Sequence, residues 1–237
     1  MADYEDAELD INLQEPDDIG ARIVLLLALS IWPEVAETDE RNTWQRWLEA
    51  QGVMPMATDI EEAVLAARSL SDDALDICER AGDSLPALAW AVALVDEIPL
   101  VEPESDRAEM IERIPVPNEG IEPFLDQLVL RDEDEIALER ERAEIWNWRL
   151  VSEEIRRQSK GANRDEVEEA IREVVLESAI SFAIAEIDTE DFLVDGVPVR
   201  ALAHDLLGAL IVTSEERLRA FNWLCGLTEW DVVHLPD

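Results

Sequence analysis

The chain has 237 residues, 48% of them apolar, which suffices for one large globular domain or two small ones. Its 19 Lys and Arg stand against 57 Asp and Glu, a formal net charge of -38, and Lys160 is the sole lysine. Such a surface repels phosphate backbones and anionic lipid, which argues against a reader of nucleic acid or of membrane surfaces and favours a cationic partner or a salt-rich surrounding.

Residues 1–15 are acidic and weakly apolar and read as a disordered tail, with Leu9, Ile11 and Leu13 as the residues able to dock. The opening MADYEDAELD lacks the basic and apolar regions of a signal peptide. The longest apolar run, Ile23 to Trp32, falls short of the roughly 20 residues a bilayer span needs. Cys78 and Cys225 sit far apart and outside any C-x-x-C pair, so two buried or half-buried thiols in a reducing compartment are expected, and the chain is expected in the cytoplasm.

Pro16 precedes a helix from Ile19 to Trp32 that Asp17 or Asp18 caps and Pro33 ends; it is apolar nearly all round and therefore buried. A second helix runs from about Asp39 to Gln51, with Gly52 as its stop and Trp44, Trp47 and Leu48 on one face. Thr58 and Glu61 have the spacing of a capping box for a helix to Ser69. Ser71 caps the next helix, which Gly82 stops, and Ser84 opens another that Ile98-Pro99 closes. After a short helix from Asp106 to Arg113, the segment 114–123 carries Pro115, Pro117, Gly120 and Pro123 and is the candidate crossing loop.

The stretch Glu133 to Gln158 has no Pro or Gly and carries two apolar stripes at helical spacing. Ile136, Ala143, Trp146 and Leu150 form one; Leu138, Ile145, Trp148 and Ile155 form the other, about 200° around the helix. A helix with two apolar sides is packed on both, so this one is expected at the centre, with Trp146 and Trp148 sunk on opposite flanks. Because it needs partners on both sides, the chain is not divided at 114–123.

Asn163 and Glu166 have capping-box spacing for a helix to about Glu186 that buries Val167, Ile171, Val174, Val175, Ile180 and Ile184. Asp195-Gly196 between short apolar runs is the signature of a type I′ hairpin, which Pro198 confines to an edge. Two stretches, Ala201 to Val212 and Ser214 to Cys225, close the chain, either separated at Thr213-Ser214 or continuous. The expected fold is mainly α: a single-domain multi-helix bundle over residues 16–237 around a central buried helix, with one small β-hairpin near the C-terminus.

Candidate chemistry is sparse. Arg142, Arg149 and Arg156 repeat every seven residues along one helix, either as an anion site in a cleft or as guanidiniums paired with neighbours such as Glu139 and Glu153. Asp72, Asp73 and Asp76 have the spacing of a magnesium-binding motif, but they also follow the cap Ser71, where acids favour the helix dipole. Asp165, Glu166, Glu168, Glu169 and Glu173 read as a solvated face. His204 and His234 have no zinc-ligand spacing, and no phosphate loop or nucleophile motif is visible.

Several segments resemble the bacterial domain-of-unknown-function family number 4272. They are DEIALERERAEIWNWRL (134–150), WAVALVDEIP (90–99), DFLVDGVPV followed by ERLRAFNWLCG (191–226), and Trp230-Asp231-Val232-Val233. The resemblance implies a mainly helical soluble fold from about Ile19 onward and no established reaction, cofactor or partner. Its C-terminal motif marks Arg217, Asn222, Trp223, Trp230 and Asp231, with Trp230 expected as an apolar anchor of the tail and Asp231 as an arginine's ion-pair partner. Leu218 stands where members carry a His, and HLPD replaces the family's ending, so an activity that used them would be lost here.

The functional expectation is a non-enzymatic interaction or structural module in the cytoplasm, without cofactor, whose acidic surface meets a basic protein surface. The alternative is a carboxylate-metal-dependent enzyme acting on a phosphorylated small molecule through its acids and the arginine row. Salt adaptation of an ordinary family member is a third reading, with a melting temperature that rises in molar salt.

Overall fold

A computed structural model describes residues 11–35, 38–98, 100, 104–181 and 190–231. Expectations for Leu9, Pro99, Ile184, Val232, Val233, His234 and the side chain of Ile180 lie outside the described residues. The described elements are α1 (Pro16–Ile31), α2 (Thr38–Ala50), α3 (Asp59–Ala66), α4 (Asp72–Ala91), α5 (Glu104–Ile111), α6 (Glu122–Leu125), α7 (Glu133–Gln158), α8 (Ala162–Ser181), the strands β1 (Leu193–Val194) and β2 (Val197–Pro198), and α9 (His204–Leu224). The fold is mainly α with one antiparallel hairpin, as expected, and no described helix is long and apolar enough to cross a membrane.

Packing runs in a chain of neighbours. α4 lies against α1 and α9, α7 also lies against α9, and α8 packs on α7. The apolar core falls into two clusters. The larger is built from α1, α2, α4, the end of α9 and Ile114, Ile121 and Phe124 of the 114–125 region. The smaller gathers Leu150, Ile171, Val175, Phe192, Val199 and Leu207 where α7, α8, the hairpin and the start of α9 meet. The proline-rich segment therefore belongs to the first core: Trp47 Nε1 donates to the Glu119 carbonyl at 2.8 Å, and Gln51 Oε1 accepts from Ile121 N at 2.9 Å.

α7 has the predicted limits and packs on both α9 and α8, but its second stripe is only partly covered. Ile136 and Leu150 of its first stripe are fully buried, whereas Leu138 and Ile155, the ends of its second stripe, are 37% and 48% exposed. Trp146 and Trp148 are both half-buried and both pack on the smaller cluster, so neither is sunk in it. The stripe spacing was real, but α8 covers only part of the outer face. The helix buried all round is α1, in which every side chain from Arg22 to Leu29 is buried.

Helix termini follow local chemistry. Pro16 is the first residue of α1, where its missing N–H costs nothing, and Asp17 and Asp18 lie in the first turn rather than capping it. Thr58 and Glu61 close the predicted capping box on α3. Ser71 caps α4, but Gly82 does not end it: α4 continues to Ala91 with Pro86 inside. Pro86 cannot bond to the carbonyl four residues back, which is that of Gly82. A Cβ at Gly82 would meet the Arg107 guanidinium, the far end of a flexible side chain. The C-terminal carbonyls of α4 are then taken by Arg131, whose Nε reaches the Trp90 carbonyl at 2.7 Å and whose backbone N reaches that of Ala91 at 2.9 Å.

Similarly, α8 begins at Ala162, so Asn163 lies inside it and does not cap it. α9 is one helix through Thr213-Ser214, because Ser214 turns its hydroxyl onto the Ile211 carbonyl at 2.8 Å and accepts from Asn147 Nδ2 at 3.1 Å. Asp195 and Gly196 both have positive φ, the type I′ geometry their sequence called for, with Leu193 opposite Pro198.

The tail is not disordered over its last five residues. Asn12 N donates to the Cys225 carbonyl at 3.0 Å and Gln14 N to that of Leu224 at 2.9 Å, while Ile11 and Leu13 pack on the larger cluster. The extended segment thus uses orphan carbonyls at the end of α9. Gly226 allows it: its φ is +69°, and a Cβ there would lie 2.5 Å from the Asn12 carbonyl oxygen.

Candidate functional site

Three polar clusters interrupt the apolar packing. The first takes up most of the arginine row. Arg149 is 1% exposed and holds Asp191 through two parallel bonds, Nε to Oδ1 at 2.7 Å and Nη2 to Oδ2 at 2.9 Å. Asp191 also accepts from the backbone N–H groups of Phe192 and Arg200, both at 2.9 Å, which ties the hairpin to α7. Glu153, fully buried one turn after Arg149, collects Arg156 through Nε at 2.9 Å and Nη2 at 2.8 Å, and Arg157 through Nε at 2.7 Å. Arg149 Nη2 lies 3.5 Å from the same carboxylate. Arg142, at the head of the row, reaches Glu139 at 2.9 Å. The seven-residue repeat therefore lays guanidiniums against carboxylates of the same helix and of the segment before the hairpin.

Burial pushes the Glu153 carboxyl up, but the hydrogen bonds from Arg156 and Arg157 outweigh it and hold its pKa below the ordinary glutamate range. A depressed folded pKa contributes stability that is present above the unfolded value, about 4.3, and is lost as pH falls through the folded one. Urea unfolding from pH 7 to pH 3 should therefore show a gap between wild type and Glu153→Gln that is wide at neutrality and closes in acid. A gap independent of pH would mean that the charge of Glu153 does not matter.

The second cluster fastens the C-terminal motif. Arg22, fully buried on α1, reaches Glu61 through Nη1 at 2.9 Å and Nη2 at 2.5 Å, and the Met56 carbonyl at 2.6 Å. Burial lowers the Arg22 pKa, and Glu61 opposes that shift. The Trp230 indole closes over the pair: its Nε1 donates to Glu61 Oε1 at 3.2 Å, and the Arg22 and Arg219 guanidiniums lie 3.8 and 4.7 Å from its ring centre. Trp223 meets it edge to face at 5.4 Å. Trp230 is 6% exposed and belongs to the larger apolar cluster. Asp231, expected to pair with an arginine, is instead exposed and forms no ion pair among the described residues, because the nearby guanidiniums are already engaged under the indole.

The third cluster joins α4 to α9. Glu216, 4% exposed, accepts from Arg80 Nη1 at 3.1 Å and Ser84 Oγ at 2.9 Å and pairs with Arg219. Arg217 donates to the Ile98 carbonyl at 3.2 Å, and Asn222 Oδ1 accepts from Arg140 Nε at 2.8 Å, which links α9 to α7. Asp83 beside them is pushed up by burial, against a hydrogen bond from Thr213.

The remaining candidates stay apart. Asp76 pairs with Arg80 at 2.9 Å, while Asp72 and Asp73 stand exposed in the first turn of α4. Among the described residues no three His, Cys, Asp or Glu side chains gather as a metal site. Cys78 and Cys225 are buried free thiols whose pKa values burial pushes up to about 11, so neither is a thiolate near neutrality. A shallow cleft lined by Gln45, Glu49, Met54, Glu62, Leu65 and Ala66 contains none of the residues the sequence singled out.

Arg22, Glu61, Glu153, Asp191, Glu216 and Arg219 thus carry the buried polar structure. Two had a visible signal: Arg22 as a lone charge inside an apolar run, and Glu61 as the partner of Thr58 in a capping box. Glu153 could be named only as one of several acids near the arginine row, and Asp191, Glu216 and Arg219 had no local signal of pairing.

No curated protein and no solved structure matches the chain. The motifs of residues 191–233 lie beyond the stretch that a family model covers. That stretch is residues 4–177, most of the chain, and the matching model is described as Domain of unknown function (DUF4272). The protein belongs to this family.

Proposed function

We propose that the protein is a non-enzymatic binding module whose acidic exterior docks a cationic protein surface in the cytoplasm. The observation that carries this reading is where the charges sit. Of only 19 cations against 57 acids, Arg22, Arg149 and Arg217 are buried, and Arg131, Arg140, Arg156 and Arg157 are turned onto internal acceptors. Carboxylates such as Asp165, Glu166, Glu173 and Glu177 line the outer side of α8, with Leu176 52% exposed among them. Outward-facing negative charge without internal compensation attracts and orients a basic partner.

Titration with a panel of lysine-rich and arginine-rich proteins should yield saturable, stoichiometric binding by at least one that survives 0.5 M salt, where screening leaves a Debye length of about 4 Å. Binding that vanishes for every probe at that salt would reduce the attraction to an unspecific one. The competing reading, a metal-assisted reaction on a phosphorylated small molecule, requires saturable heat on titration with magnesium or manganese.

A further inference from the structure

We propose that Trp230 is a releasable latch, and that its seat takes in its place a tryptophan flanked by basic residues on a partner protein. This rests on the cationic-partner reading and gives it a specific contact point. The seat is assembled from parts that do not need the tail. Arg22 of α1 is held by Glu61 of α3, Glu61 by the Thr58 backbone N–H at 2.9 Å, and Arg219 by Glu216. With the indole withdrawn, these contacts remain. What opens is a slot with two guanidinium faces, the Trp223 ring and one carboxylate oxygen.

That lining specifies its occupant. The guanidiniums favour the electron-rich face of an aromatic ring, and Glu61 Oε1 accepts an N–H from the ring edge. Tryptophan meets both demands. Phenylalanine lacks the donor, and a charged histidine would add a third cation beside two arginines.

The resident segment fits the slot with its indole and not with its charge. Glu229 and Asp231 flank Trp230, both are exposed, and neither forms an ion pair among the described residues. They add negative charge to a chain that already carries -38. The intramolecular connection compensates, since a short tether gives an effective concentration on the order of millimolar. A partner segment with Lys or Arg beside its tryptophan gains the attraction that the tail lacks, at an apparent affinity reduced by the fraction of time the latch is shut.

The test uses fluorescent peptides Lys-Lys-Trp-Lys-Lys, Lys-Lys-Ala-Lys-Lys and Glu-Glu-Trp-Glu-Glu, titrated into the full chain and into a chain ending at Glu229. The basic tryptophan peptide should bind the shortened chain about tenfold or more tighter than the full one, and there about tenfold or more tighter than either other peptide. Equal binding of the two basic peptides, or equal binding to the two chains, overturns the latch while leaving the cationic-partner reading in place. Absence of binding by both basic peptides counts against both. An acidic peptide that binds as tightly as the basic one overturns the charge argument.

Should the shortened chain fail to fold, indole hydrogen exchange in the intact protein decides. A latch predicts that the Trp230 N–H exchanges by local opening, at a rate insensitive to sub-denaturing urea. Exchange that rises with urea in step with the α1 amides shows a permanent part of the fold and overturns the proposal.

Discussion

Asp191→Asn should lower the unfolding free energy by about 3–5 kcal/mol, the cost of removing one partner from a buried ion pair. Arg149 has nowhere to move: it is 1% exposed, its Nη1 has no hydrogen-bond partner among the described residues, and the next carboxylate, Glu153, is 3.5 Å away and shared with Arg156 and Arg157. Asparagine keeps the volume and removes the charge, and its amide group would face N–H donors on one side. The expected companion result is recovery. The double variant Arg149→Met, Asp191→Asn removes both charges and keeps a side-chain acceptor for the Phe192 and Arg200 backbone N–H groups, so it should regain part of that loss. Urea unfolding followed by circular dichroism measures both. A loss below about 1 kcal/mol for the single variant would mean that water reaches the pair.

Glu61→Ala is the second large loss, again about 3–5 kcal/mol, because it strands the fully buried Arg22. Glu61 has three roles: counter-charge to Arg22, far side of the capping box on α3, and acceptor for the Trp230 indole. Thr58→Ala separates them. It removes the cap alone and should cost about 1 kcal/mol. If the two variants unfold at the same urea concentration, Glu61 matters to the protein as a cap and Arg22 finds another partner.

Several elements were legible because their cause is local. α7 spans the predicted residues, the Thr58–Glu61 box closes, and the Asp195-Gly196 turn takes its left-handed geometry. Each depends on residues within one helical turn or one hairpin. Gly82 shows the limit of that logic. As a sequence it is a helix stop; in the fold it is buried inside α4, which runs on through it to Ala91. The acidic tail is a similar case. Its last residues are ordered only because the end of α9 presents free carbonyls and Gly226 leaves room beside them. The stripes of α7 gave the orientation of its side chains but not how far a neighbouring helix would extend to cover them, which is why Leu138 and Ile155 stay exposed.

By itself, the sequence determined that the chain is helical, where most helices begin, the hairpin and the sign of the surface charge, since these follow from periodicity, caps, turn residues and composition. Only the tertiary structure decided which carboxylate each arginine meets. With 57 acids for 19 cations, almost any arginine has an acid nearby in sequence, so spacing cannot choose among them. The choice falls to burial. Asp191 and Glu61 become the partners of Arg149 and Arg22 because packing removes those groups from water together, and a charge that loses its hydration must find its counter-charge at the same place.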